Sequence, residues 1–274
     1  MRAQLIPEAG ISYSDKKQLR QQLDLYYEKV DDYLAFASIS LQIDCWTHIE
    51  SNIRKRSKDN QGEKIHVLEV GAGRSGFSKH LKEQGVRDMI HYWTQDVTSQ
   101  NEAYLASQAD HVLLKDISEI SDENRFSIIF STYVLEHVAN PAVHLSQLYN
   151  LLSDQGSLFI FCPRYDLPGY LCPSSRHLSL FTRLAFEVKR SVARFRSLVY
   201  KRPAFLIQTD LAAFHQPFFP DADAVHWTSL VDLRLWAITK GARMYKLKIM
   251  KSRRGLKDWI VKQWLTCAVE ICKV

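Results

Sequence analysis

One segment limits the fold more than any other. It reads Ile65-His66-Val67-Leu68-Glu69-Val70-Gly71-Ala72-Gly73-Arg74-Ser75-Gly76-Phe77. Its first six residues have the apolar character of a buried strand, and a helix is expected from about 76 to 84. Glycine tolerates positive φ and lets a ligand approach the backbone, and the helix start beyond it offers unpaired N–H groups. After this turn, short apolar runs alternate with helical segments. Strands are expected at 89–94, 111–114, 126–131 and 156–162, and helices at 100–108 and 141–152. Such alternation predicts a mostly parallel sheet with helices on both faces, which binds ligands at the carboxyl ends of its strands.

The flanks follow other patterns. Residues 14–58 read as helices, from Leu19, Leu23, Tyr26, Tyr27 and Val30 and then Ile39, Ile43, Trp46 and Ile49. The polar stretch 51–64 reads as a linker. After Pro163 the alternation stops for roughly sixty residues, and a loop region of that length is usually functional. It resumes with a helix at about 228–240, an apolar run at 244–250 and a last strand at 264–272. The expected organisation is an N-terminal helical segment (1–62), a cofactor-binding core (63–163), a helical insertion or lid (164–225) and the completion of the sheet (226–274).

Composition excludes some classes. The five cysteines are scattered and show no CxxC spacing, which argues for reduced thiols, a cytoplasmic location and no zinc site. The opening residues hold no apolar run of signal-peptide length. Between 176 and 202, eight basic residues (Arg176, Arg183, Lys189, Arg190, Arg194, Arg196, Lys201, Arg202) face one acid, Glu187. That local +7 exceeds the whole-chain charge of +6, so the basic pI reports this one segment.

Three glycines spaced GxGxxG also suit a dinucleotide, and Asp96 stands where a ribose-binding acid is expected for either cofactor. Glu69 separates the two. A carboxylate beside this turn repels a pyrophosphate by about 4 kcal/mol at 4 Å for an effective dielectric near 20. S-adenosylmethionine carries an ammonium and a sulfonium instead, and both favour a nearby acid. The bland alternative for Glu69 is local pairing with Lys64 or Arg74.

The run HVLEVGAGRSGFSKHL resembles the first motif of class I S-adenosylmethionine-dependent methyltransferases. FSIIFSTYVLEHVANPAVHLSQLYNLLSDQGSLFIFCP resembles the fourth and fifth strand regions of their ubiquinone-biosynthesis-like branch (type 11 and 23). The resemblance covers roughly 63–163 and, more faintly, 221–250. It implies a Rossmann-like seven-stranded sheet with helices on both faces and a helical insertion after the fifth core strand. It also implies that Glu69, Gly71, Gly73 and Gly76 lie along the methionine and ribose portion of S-adenosylmethionine. Asp96 would accept from both ribose hydroxyls, Asp116 would bond the adenine amino group while Ile117 packs on the ring, and Ser131 to Tyr133 would lie beside the methionine moiety. For Asp116 the alternative is a helix cap. Some relatives bind a metal through a Glu three residues before the EH pair; here that position is Tyr133, so no metal is expected.

An oxygen acceptor needs its proton removed, and histidine suits that near neutral pH. His137, after the fourth core strand, and His177, in RHLSLFT, are the candidate bases; His215 and His226 are weaker ones, and a structural role for His226 is favoured. Leu184, Val188, Val192, Phe195 and Val199 recur at helical spacing among basic residues, so 183–202 is expected to be a basic amphipathic helix. A lid packed on the core with a solvated basic face, peripheral contact with an anionic membrane, and recognition of an acidic acceptor all remain open; nucleic acid is the weaker option. The expected function is methyl transfer to a hydroxyl of a small molecule, sugar or lipid-linked glycan. The alternatives are an NAD-dependent oxidoreductase and a catalytically inactive binding protein of the same fold.

Overall fold

The computed structural model describes residues 3–27, 39–60, 63–121, 126–215, 221–249 and 256–273. Val30 and Met250, which enter the expected patterns, lie outside them. A seven-stranded mixed sheet forms the centre. In chain order its strands are β2 (Ile65–Val70), β3 (Ile90–Asp96), β4 (His111–Leu114), β5 (Phe126–Thr132), β6 (Leu152–Pro163), β9 (Arg243–Lys246) and β10 (Thr266–Cys272). Their spatial order is β4-β3-β2-β5-β6-β10-β9, and β10 runs antiparallel to both neighbours.

Alternation along each strand sends successive side chains to opposite faces. Leu68, Val70, Ile129, Leu158 and Ile160 therefore join one core, covered by α5 (Pro141–Leu151) and α7 (Leu230–Thr239). Val67, Ile128, Phe130, Phe159 and Phe161 join the other, covered by α2 (Ile39–Asp59) and α3 (Phe77–Glu83). The fold expected from the alternation is the fold observed.

The flanks differ from expectation in three places. Helix α2 runs to Asp59 through the stretch that reads as a linker. Its polar residues find partners: Arg54 donates to Glu50 and the Gln84 carbonyl, and Arg56 to Asn52, Ser157 and the Gln155 carbonyl. The N-terminal region is not wholly helical, because β1 (Leu5–Pro7) precedes α1 (Tyr13–Tyr27). Nor is 164–225 only helical: after α6 (Leu180–Tyr200) comes β7 (Leu206–Gln208), which pairs with β1 and with β8 (His226–Trp227) in a separate three-stranded sheet. Short extended pieces of this kind lack the length to show a period in sequence.

Two small cores seat this second sheet. Leu5, Tyr165, Phe186, Leu206 and Trp227 form one. Leu19 and Leu23 of α1 meet Ala139, Ile207, Leu211 and Val225 in the other. Ala139 follows β5, so α1 and the second sheet close over the carboxyl ends of the main strands.

Candidate active site

The turn after β2 is built by backbone constraint. Gly71 and Gly73 are left-handed, at φ 62° and 52°. A Cβ on Gly71 would lie 2.5 Å from Val134 Cγ2, so no side chain fits. A Cβ on Gly73 would meet nothing within 4 Å, which leaves an open face beside the turn. Gly76 has φ −87° and caps α3, so its backbone does not require glycine. Three bonds tie the turn to the end of β3. Ala72 N–H donates to the Gln95 carbonyl (3.0 Å), Gly71 N–H to Gln95 Oε1 (3.2 Å) and Gly73 N–H to Asp96 Oδ2 (2.8 Å). Gln95 also donates to the Lys115 carbonyl, linking the loop after β4. Nothing in the sequence singles out Gln95.

Asp96 is buried beside the open face of Gly73, and its other oxygen accepts from Thr98 N–H at 3.1 Å. Burial raises its carboxyl pKa against these backbone bonds. Glu69 is buried too, pairing with neither Lys64 nor Arg74. Tyr92 O–H and Ser75 bond it instead, while Arg74 donates to Asn101. Burial pushes the Glu69 carboxyl up to about 7; the Tyr92 and Ser75 bonds oppose this, and the charge of Asp96 adds to it. Glu69 therefore braces the turn from behind.

Ser131 is buried at the end of β5. Tyr133 follows at φ 59°, a conformation non-glycine residues hold at a cost and often at functional sites. Its N–H donates to the Phe161 carbonyl at 2.7 Å. The pairing of β5 with β2 sets Ser131 beside Val70, next to the glycine turn. The expected adenine contacts look different. Asp116 Oδ1 accepts from Ser118 N–H (2.8 Å) and O–H (2.6 Å), the capping alternative, and its Oδ2 pairs with Arg20 of α1 at 2.6 Å. Ile117 is buried in the main core.

The two candidate bases stand in different clusters. His137 ends the short helical turn Leu135–His137 after β5. Its Nδ1 lies 2.9 Å from Asp223 Oδ2, and its Nε2 is 3.9 Å from Glu136 Oε1. Tyr27 O–H donates to the same Asp223 oxygen (2.9 Å), and Tyr165 O–H to Asp221 (2.6 Å). Glu136 is fully buried, and neither carboxylate oxygen has a hydrogen-bond partner among the described residues. Burial pushes its pKa up to about 8, opposed by His137. For His137, burial works against the cation, but Asp223, Glu136 and Asp221 prevail and raise it to about 10. Asp221 and Asp223 stand two residues apart in an otherwise apolar stretch, but they lie in a turn, with Asp221 at φ 60°, so their spacing alone does not point to His137.

His177 joins Asp210 and His215 instead. Its Nε2 is 3.1 Å from Asp210 Oδ2, its Nδ1 is 3.0 Å from the Ser174 carbonyl, and His215 Nε2 is 2.6 Å from Asp210 Oδ1. His226 is buried in β8 with Nδ1 on the Leu135 carbonyl at 3.0 Å, and burial lowers its pKa to about 4. That is a structural histidine. Two groups of the described residues bring three metal-capable donors within 4.8 Å of one another: Glu136, His137 and Asp221, and His177, Asp210 and His215. Only the first two of the former set are adjacent in sequence; the fold adds Asp221.

A family model described as a methyltransferase domain matches residues 46–201. No curated protein matches the sequence. Among solved structures, the fold is similar to that of the plantazolicin methyltransferase BamL in complex with a triazolic desmethylPZN analog and S-adenosylhomocysteine. The identity is 13%, the match covers 94% of this chain and 97% of that one, and the TM-score is 0.52. It is also similar to the Burkholderia thailandensis 1,6-didemethyltoxoflavin-N1-methyltransferase bound to 1,6-didemethyltoxoflavin and S-adenosylhomocysteine. There the identity is 12%, the coverage 100% and 96%, and the TM-score 0.50. At these identities the likeness is one of fold.

Proposed function

The chain belongs to the methyltransferase-domain family, as a class I S-adenosylmethionine-dependent methyltransferase, and from that premise we propose that it methylates a hydroxyl group with His137 as the base. The acceptor class is a small molecule, a sugar or a lipid-linked glycan. The observation that carries this reading is the 2.9 Å approach of His137 Nδ1 to Asp223 Oδ2, at the carboxyl edge of β5.

The cofactor supplies a methyl group activated on a sulfonium, together with a positive charge. In this proposal Gly71 and Gly73 let it approach the backbone, and Asp96 accepts from its ribose hydroxyls. Ser131 and Tyr133 flank its methionine portion, and Glu69 and Gly76 hold the turn. Asp116 caps its own turn and pairs with Arg20, and a remaining lone pair of its carboxylate would accept from the adenine amino group; Ile117 shapes that end from the core.

Asp223 holds the Nδ1 side of His137, so the lone pair of the neutral ring is on Nε2. A nearby positive charge disfavours the imidazolium and lowers the high proton affinity of His137. The ring would then hold the proton given up by the acceptor hydroxyl, while the cofactor, when bound, would supply the methyl group to that oxygen and leave as S-adenosylhomocysteine. His177, bonded to Asp210 and the Ser174 carbonyl, is assigned to holding the loop after β6 against the loop after β7.

The exposed basic residues Lys189, Arg196, Lys201 and Arg202 favour the lipid-linked member of the acceptor class. The test is transfer of radiolabelled methyl groups from S-adenosylmethionine to water-soluble and lipid-linked glycans. His137→Gln is expected to lose turnover while still binding S-adenosylhomocysteine. Turnover equal to the parent protein's would remove His137 from the reaction.

A further inference from the structure

Helix α6 has a buried face and, opposite it, an exposed apolar one. Phe186, Arg190, Ala193 and Ser197 form the buried one. Phe181, Leu184, Val188, Val192, Phe195 and Val199 recur at spacings of three and four on the other, and all are exposed, Phe181 at 84% and Phe195 at 68%. The stripe, which in a lid would pack on the core, points away from it. An uninterrupted apolar stripe this long on a protein surface marks an interaction site.

The charges around it have one sign. Lys189, Arg196, Lys201 and Arg202 are exposed. Arg190 and Arg194 are withdrawn from the surface, paired with Glu187 and Asp232. Glu187 is the helix's only acid. Beside the stripe, a groove of about 880 Å³ opens between α6 and β1. Leu5, Pro7, Val192 and Tyr200 give it apolar walls, Lys189 and Arg196 reach it, and no acid lines it. Among the described residues no helix is long and apolar enough to cross a membrane.

We propose that α6 lies flat in the surface of an anionic phospholipid bilayer, with the Phe181–Phe195 stripe inserted among the acyl chains and the cations against lipid phosphates. An apolar face flanked by unpaired cations is what such binding requires. A second copy of the chain fits less well, because apposed stripes would bring like charges together. The inference deepens the lipid-linked acceptor reading but does not depend on turnover.

The experiment is cosedimentation of the full chain with vesicles of phosphatidylcholine alone or mixed with phosphatidylglycerol, with light scattering to give the oligomeric state. The parent protein is expected to pellet with the mixed vesicles and about tenfold less with the neutral ones. Phe181→Ser/Phe195→Ser should abolish pelleting without changing the melting temperature or S-adenosylhomocysteine affinity, since both side chains are exposed. Lys189→Glu/Arg196→Glu should weaken pelleting about tenfold or more. Absence of pelleting with mixed vesicles, equal pelleting of the double serine variant, or a dimer that this variant splits would overturn the proposal. Pelleting without methylation of any lipid-linked acceptor would sink the acceptor reading and leave the docking surface standing.

Discussion

His137 and Asp223 meet at 2.9 Å across two elements that the sequence holds far apart, the turn after β5 and the segment before β8. Asp223 and the neighbouring acids overcome burial and leave His137 with a strong hold on its proton.

Asp223→Asn removes the charge and keeps the shape. His137 should then lose its proton at lower pH, so the rising limb of the kcat/KM profile moves to lower pH. Loss of the oriented base should also reduce kcat by about 10²–10³-fold. A pH–rate profile checks both. An unshifted limb would show that Asp223 acts only on structure.

Glu136 predicts a pH-dependent stability. Its pKa is raised by burial from the usual 4.5 to about 8, so the folded state holds the proton more tightly than the unfolded chain does. Its contribution is therefore full below about pH 4.5 and is lost as the pH rises towards 8. Glu136→Gln stays neutral throughout. Urea unfolding should show the variant gaining on the parent protein between those limits and keeping a constant margin above them.

The proposed base requires no metal, although Glu136, His137 and Asp221 stand close enough to hold one. Dialysis against EDTA should leave methyl transfer unchanged. Activity lost on dialysis and restored by a divalent cation, but not in Glu136→Gln, would hand the proton-removing role to a metal.

What could be read from sequence follows from the range of each interaction. The main sheet and the turn between β2 and α3 are local. Period-two burial and left-handed glycines act on neighbouring residues, so Gly71, Gly73 and Asp96 are legible as one unit. The partners of His137 are not, because Asp221, Asp223, Tyr27 and Tyr165 arrive from α1, the segment after β6 and the segment before β8. Glu69 is legible as an acid at the end of the strand before the turn, but its burial and its partner Tyr92, from the next strand, are not. Helix α6 shows a different limit. Periodicity reveals that Leu184, Val188, Val192, Phe195 and Val199 share a face; it carries no information on which way that face points. Asp116 illustrates the same ambiguity, since a capping acid and an adenine-binding acid occupy the same strand end.

Isothermal titration of the parent protein and of Asp96→Asn, with S-adenosylhomocysteine and with NADH, tests the central claim most directly. The account predicts one-to-one binding of S-adenosylhomocysteine, weakened about tenfold or more in the variant because charge-assisted hydrogen bonds are lost, and no binding of NADH. Binding of NADH without S-adenosylhomocysteine, or undiminished S-adenosylhomocysteine affinity in Asp96→Asn, would contradict it.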